Sequence, residues 1–243
     1  MEIATHIDAL RREGRLLADA AERNGPDAPL TTCPEWRERD LVRHTGNVHR
    51  WAATLVEQGA PAPVARSLAE PEDDELMGWF RDGTGHLVAI LGAADPAVSC
   101  WTFLHAPSPL AFWARRQAHE TAIHRADAES AGGHITGFEA RFAADGIDEL
   151  VMGFAPTPRA TVRAEARRAM VVSTTDTEDS WVIGLGPEGI DARRGGGPHD
   201  CSVLGPASDV YLLLWNRIDL ESSAVEATGE RDLVALWRDS LRV

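Results

Sequence analysis

Glu120 and His124 stand four residues apart in LAFWARRQAHETAIHRADAES, residues 110–130, a run of strong helix formers with no breaker before Gly132-Gly133. On a helix that spacing puts both side chains on one face, one turn apart and able to reach a common point. An imidazole nitrogen and a carboxylate oxygen are ligands that a divalent metal such as zinc accepts. A third ligand from another helix would leave a fourth position open for water or substrate. His44, within the stretch from Trp36 to Gln58, is the candidate for that third ligand. Helical bundles build metal sites this way, from inward-pointing residues on facing helices. The same spacing also describes an ordinary solvated i,i+4 pair. Trp113, Arg116, Gln117, Glu120, His124 and Asp127 form a polar stripe opened by a tryptophan. It reads either as the lining of a pocket or as a water-facing side.

Other groups carry less. His119 precedes His124 by five residues and His49 follows His44 by five. That offset is about 140° around a helix, so both fall outside the ligand set. His86 and His134 read as surface residues, His105 as packing in a loop with Trp101 and Phe103, and His6 and His199 have no role assigned by pattern. There is no G-x-S-x-G elbow, P-loop or G-x-G-x-x-G after a strand. Gly195-Gly196-Gly197 reads as a flexible turn, and the acidic run from Glu70 to Glu75 as favourable charge at a helix start.

These residues need elements to hold them. Residues 3–23 place Ile3, Ile7, Leu10, Leu17 and Ala20 at helical intervals and stop at Asn24-Gly25-Pro26. The spacing predicts further helices over 36–58, 72–94, 110–130 and about 138–153. After Gly153-Phe154-Ala155-Pro156 the composition changes. ATVRAEA, AMVVSTT, SWVIGLG and GIDARRG are β-prone runs divided by turn signals and read as a meander. A helix over 207–219, a short strand near 225–227 and a last helix over 230–241 complete the chain. The fold class is therefore α+β with two domains: an N-terminal antiparallel four-helix bundle, 1–153, and a small C-terminal α+β domain, 154–243.

Composition limits the partners. Of the 243 residues 24 are basic, all of them Arg, and 38 acidic, giving a formal charge of -14 that repels nucleic-acid backbones and anionic membranes. Cys33, Cys100 and Cys201 form neither a C-x-x-C pair nor a secreted disulfide framework, which fits a reducing cytoplasm. No apolar run reaches membrane-spanning length, and MEIATHIDALRREGRLL lacks the basic and apolar regions of a signal peptide. The expectation is a soluble, unexported protein, monomeric or homodimeric, that handles small molecules.

DLVRHTGNVHRW (40–51), AHETAIHRADAE (118–129) and DGIDEL (145–150), with SDVYLLLWNRID (208–219) before EATGERDLVALW (226–237), resemble the mycothiol-dependent maleylpyruvate isomerase family. The resemblance spans nearly the whole chain. It implies a DinB/YfiT-type metal-binding bundle followed by a sterol-carrier-like α+β domain. Its second-helix His and later Glu-x-x-x-His match His44, Glu120 and His124 here, and they imply a bound divalent metal, zinc by ligand type, with mycothiol as thiol cosubstrate. The implied chemistry is thiolate addition to an electrophilic carbon. With a cis-enoyl acid, addition, bond rotation and elimination return the trans isomer, and with other electrophiles the outcome is S-transfer. Arg115 or Arg116 and Arg217 are candidates to bind a substrate carboxylate, and Trp101 and Trp113 to form apolar walls near the metal. Two readings stand beside this one: a metal hydrolase with the same ligands and no thiol, and a non-enzymatic metal- or ligand-binding module.

Overall fold

A computed structural model describes residues 1–66, 68–157 and 164–240. The chain divides into two compact units, 1–136 and 137–243.

The first unit contains four long helices, α1 (Ile3–Asn24), α2 (Glu38–Glu57), α3 (Leu76–Ala93) and α4 (Pro109–Ala131). Their limits follow local chemistry. Ser108 accepts a hydrogen bond from the Ala111 amide and Pro109 occupies the first turn of α4, where its missing N–H is no loss. The Asp40 carboxylate turns back to the Arg37 amide at the start of α2. Helix α3 begins at Leu76, later than the expected residue 72, because Glu72 to Glu75 form a separate turn. α1 packs on α3 and α4, and α2 likewise on α3 and α4. Ala114, Ala118, Ala122 and Ala126 form a fully buried stripe along α4, small enough for neighbouring backbones to come close. Gly14 serves the same purpose on α1, since a Cβ there would lie 2.6 Å from Thr84 Cγ2 of α3. Leu10, Leu17, Leu41, Leu55, Phe80 and Leu87 fill the interior.

The second unit begins with α5 (Ala140–Asp148), which runs into a π-helical turn at Glu149–Phe154. The sequence reading places this helix with the bundle, but Phe138 and Phe142 pack toward Tyr211 of α6 (Ala207–Leu214), so it belongs with the sheet. The sheet comprises β1 (Arg168–Thr174), β2 (Ser180–Gly186), β3 (Gly189–Arg194), β4 (Cys201–Gly205) and β5 (Glu226–Gly229), in the order β3-β2-β1-β4-β5. The first three form the expected meander, with Met170 opposite Ile183 and Ile183 opposite Ala192. β4 joins β1 in parallel, Val172 opposite Val203, and β5 closes the edge antiparallel to β4. Of the expected run ATVRAEA, 160–163 lie outside the described residues and 164–166 form no strand. Asp148 ties the end of α5 to the sheet by accepting from Trp181 Nε1 at 3.1 Å and from Arg194 through two bonds of 2.7 Å. Helix α6 stops at Leu214 rather than Asp219, and Asn216 follows with φ of 63°. Helix α7 (Asp232–Ser240) ends the described chain.

Candidate metal centre

Helices α2 and α4 bring His44, Glu120 and His124 together, their nearest ligand atoms all within 4.8 Å of one another. Glu120 Oε1 lies 3.3 Å from His124 Nε2, one turn along α4, and 3.6 Å from His44 Nε2 across the interface. The other carboxylate oxygen of Glu120 accepts from Arg116 Nη2 at 3.1 Å. Both imidazoles thus aim the same nitrogen at one carboxylate oxygen. Side-chain exposures of 33% for His44, 25% for Glu120 and 13% for His124 leave this point open to solvent on one side.

His124 Nδ1 faces Asp127 Oδ2 at 3.0 Å, and Asp127 is fully buried. A carboxylate on the far nitrogen of an imidazole fixes its tautomer and ring orientation, which turns Nε2 toward Glu120. The donor set, two imidazoles and one carboxylate with an open side, therefore fits a divalent ion of the zinc type. The three groups are also coupled electrostatically. Burial alone would raise Glu120, but hydrogen bonds from His124 and His44 and the charge of Arg116 hold its carboxyl well below the usual carboxylate range. Burial alone would lower His124, but Asp127 and Glu120 on its two nitrogens push it up to about 9.

A third group borders the site. Trp36, in the loop between α1 and α2, has its ring centroid 4.9 Å from that of His44 and 6.4 Å from that of His124. The same loop brings the Thr32 hydroxyl to Asp127 Oδ1 at 2.6 Å. The sequence reading does not single out Trp36 or Thr32. Their roles depend on a loop that folds back through the bridge between Pro29 and Arg37, and nothing in local spacing signals it.

The polar stripe of α4 does not face water, because Arg116, Gln117 and Asp127 are buried with Trp113. Trp113 is enclosed in a cluster with Trp51, Trp101, Phe103 and Phe112, and its indole N–H donates to the Trp101 carbonyl at 2.9 Å. It is core rather than an exposed pocket wall, and Trp101 joins the same cluster. Arg116 touches the triad, through Glu120. Arg217 lies in the second unit just past the end of α6, where its guanidinium donates to the Trp215 carbonyl at 2.6 Å. His49 is fully buried, with Nδ1 3.0 Å from Thr84 Oγ1 and Nε2 2.8 Å from Thr121 Oγ1, and burial pushes its pKa down to about 3. It is a neutral core histidine joining α2, α3 and α4. His119 is fully buried near His6, ring centroids 6.0 Å apart.

No helix of the described residues is long and apolar enough to cross a membrane. No curated protein matches the chain. Two crystal structures, of the mycothiol-dependent maleylpyruvate isomerase and of a histidine-to-alanine mutant of it, share the fold. They are 12% and 11% identical to this chain, each with a TM-score of 0.65 and 95% of both chains covered. Residues 7–129 match the mycothiol maleylpyruvate isomerase N-terminal domain, and residues 141–236 match the C-terminal domain of the same enzymes. The chain therefore belongs to the mycothiol-dependent maleylpyruvate isomerase family.

Proposed function

We propose that this chain is a metal- and mycothiol-dependent enzyme, an isomerase or S-transferase, acting on a small electrophilic substrate that bears a carboxylate. The observation that carries the reading is the convergence of His44 Nε2, Glu120 Oε1 and His124 Nε2 on one partly open point. A structural zinc site is normally closed by four protein ligands, whereas three ligands with an open side suit a catalytic ion. When bound, a divalent cation there supplies the positive charge that holds a thiol and favours its deprotonated form at neutral pH.

The chain's own residues do the rest. His44, Glu120 and His124 hold the ion, and Asp127 keeps the His124 ring turned with Nε2 toward it. Arg116, buried against Glu120 Oε2, steadies that carboxylate so that Oε1 stays aimed at the two imidazoles. In this reading the nucleophile is the external thiol: Cys100 and Cys201 are buried, with burial raising both thiols above their ordinary value, and Cys33 is only partly buried in the loop that carries Trp36.

Metal analysis of the purified protein, joined to a screen of electrophiles with and without mycothiol, tests the reading. Bound divalent metal and thiol-dependent turnover are expected. His44→Ala, Glu120→Ala and His124→Ala should each lose most metal affinity while keeping the helical circular-dichroism signal, since two ligands make an incomplete site. Turnover that needs no thiol would favour the metal hydrolase. Full metal occupancy after Glu120→Ala would overturn the ligand assignment.

A further inference from the structure

The indole of Trp36 is fixed beside the ligands. Its backbone N–H donates to the Cys33 carbonyl at 2.8 Å and its carbonyl accepts from the Leu30 amide at 3.2 Å, which closes the loop on itself. The loop is also tied to α4. Thr31 donates its amide to Ser130 Oγ at 3.2 Å, and Thr32 donates its hydroxyl to the carboxylate that orients His124. The ring lies nearly parallel to the His124 ring, 29° between planes, and tilted by 51° to that of His44. Trp36 packs against the core that includes Leu41 and Val42 yet stays half-buried, next to the partly exposed His44 and Glu120.

We propose that Trp36 is a substrate-contact residue, the wall on which the flat conjugated part of an unsaturated acid stacks, so that the site selects planar conjugated acids over saturated ones. The proposal rests on the metal reading above. An aromatic face rewards a π-system that can lie offset against it and offers a flexible saturated chain only ordinary contact. Stacking of this kind corresponds to a preference of roughly 2- to 10-fold. Holding the conjugated plane flat on Trp36 also presents its other face, where an external thiol can approach the double bond.

The test uses the full chain loaded with zinc, without thiol, and two dicarboxylates of equal length and charge, trans,trans-muconate and saturated adipate. Calorimetry gives their dissociation constants in the wild type, Trp36→Phe and Trp36→Ala, and elemental analysis gives zinc content in each. The wild type is expected to favour muconate by roughly 2- to 10-fold. Trp36→Phe should keep part of that preference and Trp36→Ala should lose it, with zinc unchanged in both. A wild type that binds neither acid, or a preference that survives Trp36→Ala in zinc-loaded protein, overturns the inference and leaves the metal reading standing. A wild type that takes up no zinc overturns both.

Discussion

Helix α4 carries two polar clusters with the same internal spacing and opposite construction. Arg125 and Glu129 are an i,i+4 pair, as are Glu120 and His124. Around Arg125 the cluster is closed: its guanidinium donates to Glu13 Oε2 of α1 at 2.9 Å, to Glu129 Oε2 at 2.6 Å and to the Thr136 carbonyl at 2.6 Å. Glu129 in turn accepts from the Thr136 amide at 2.8 Å, and Glu13, Arg125 and Glu129 are all buried. Around Glu120, the carboxylate oxygen and two imidazole nitrogens converge at 3.3 and 3.6 Å with one side open. The spacing along α4 is identical, so the difference comes from the facing helix. A carboxylate from α1 neutralises Arg125, whereas an imidazole from α2 joins Glu120 and His124. Clusters whose polar groups are all enclosed and satisfied hold a fold together, and a cluster of imidazoles and a carboxylate left partly exposed has the groups to hold something else.

The largest expected effect breaks the closed cluster. Arg125→Met would leave Glu129 buried without its cation and Glu13 with only Arg12, whose Nε lies 2.9 Å from Glu13 Oε1, and removing one partner of such a buried group costs about 3–5 kcal/mol. Urea denaturation should show a loss of that size, while zinc bound per folded molecule stays as in the wild type. A loss below about 1 kcal/mol would mean that solvent, and not the ion pairs, supports the two carboxylates.

Asp127 sharpens the other half of the comparison, because it serves the open cluster without being a ligand. Asp127→Asn keeps an oxygen for Thr32 but removes the charge that orients His124 and favours a cation on it. Such outer partners are worth roughly 10- to 100-fold in metal affinity, about 1.4–2.7 kcal/mol. Competition with a chelator of known affinity measures this directly. Unchanged zinc affinity would show that packing alone, including Trp36, orients the His124 ring.

Much of this was legible in the residues. α1, α2 and α4 end at Gly25, near Gly59 and at Gly132, where the stop signals stand, and the runs containing β1, β2 and β3 were each visible as β-prone segments. β4 was not, because CSVLG follows a glycine run and shows only five residues of alternating burial. The end of α6 was misread because Arg217 and Ile218 continue the helical pattern, whereas Asn216 takes a left-handed conformation that asparagine tolerates better than most residues. The place of α5 depends on its packing against α6, a contact that no local pattern encodes. At the site, the alignment of Glu120 with His124 follows from helical geometry alone. Asp127 lay on the same stripe, but its role needed the ring of His124 and the returning loop to be in place.

Glu38 supplies the smallest and last test, because it falls between the two clusters: buried like Glu13, yet only half satisfied. Its Oε1 accepts from Asn24 Nδ2 at 2.8 Å, while Oε2 is buried with no hydrogen-bond partner. Burial pushes its pKa from 4.5 up to about 7; the hydrogen bond from Asn24 opposes the rise and the charge of Asp127 adds to it. An acid whose folded pKa is raised binds its proton more tightly in the folded state. Its contribution to stability is thus complete below pH 4.5 and is lost as the pH climbs through about 7. Glu38→Gln removes that titration and keeps an acceptor for Asn24. The stability of the variant relative to the wild type should therefore rise between pH 4.5 and pH 8 by about 1–2 kcal/mol, a figure reduced from the full shift because the start of α2 favours negative charge. Denaturation midpoints of both proteins across that range measure the difference. A flat difference would mean that Glu38 titrates as an ordinary carboxyl and is satisfied as fully as Glu13. It would then belong with the closed cluster, and the unpartnered oxygen would have found water.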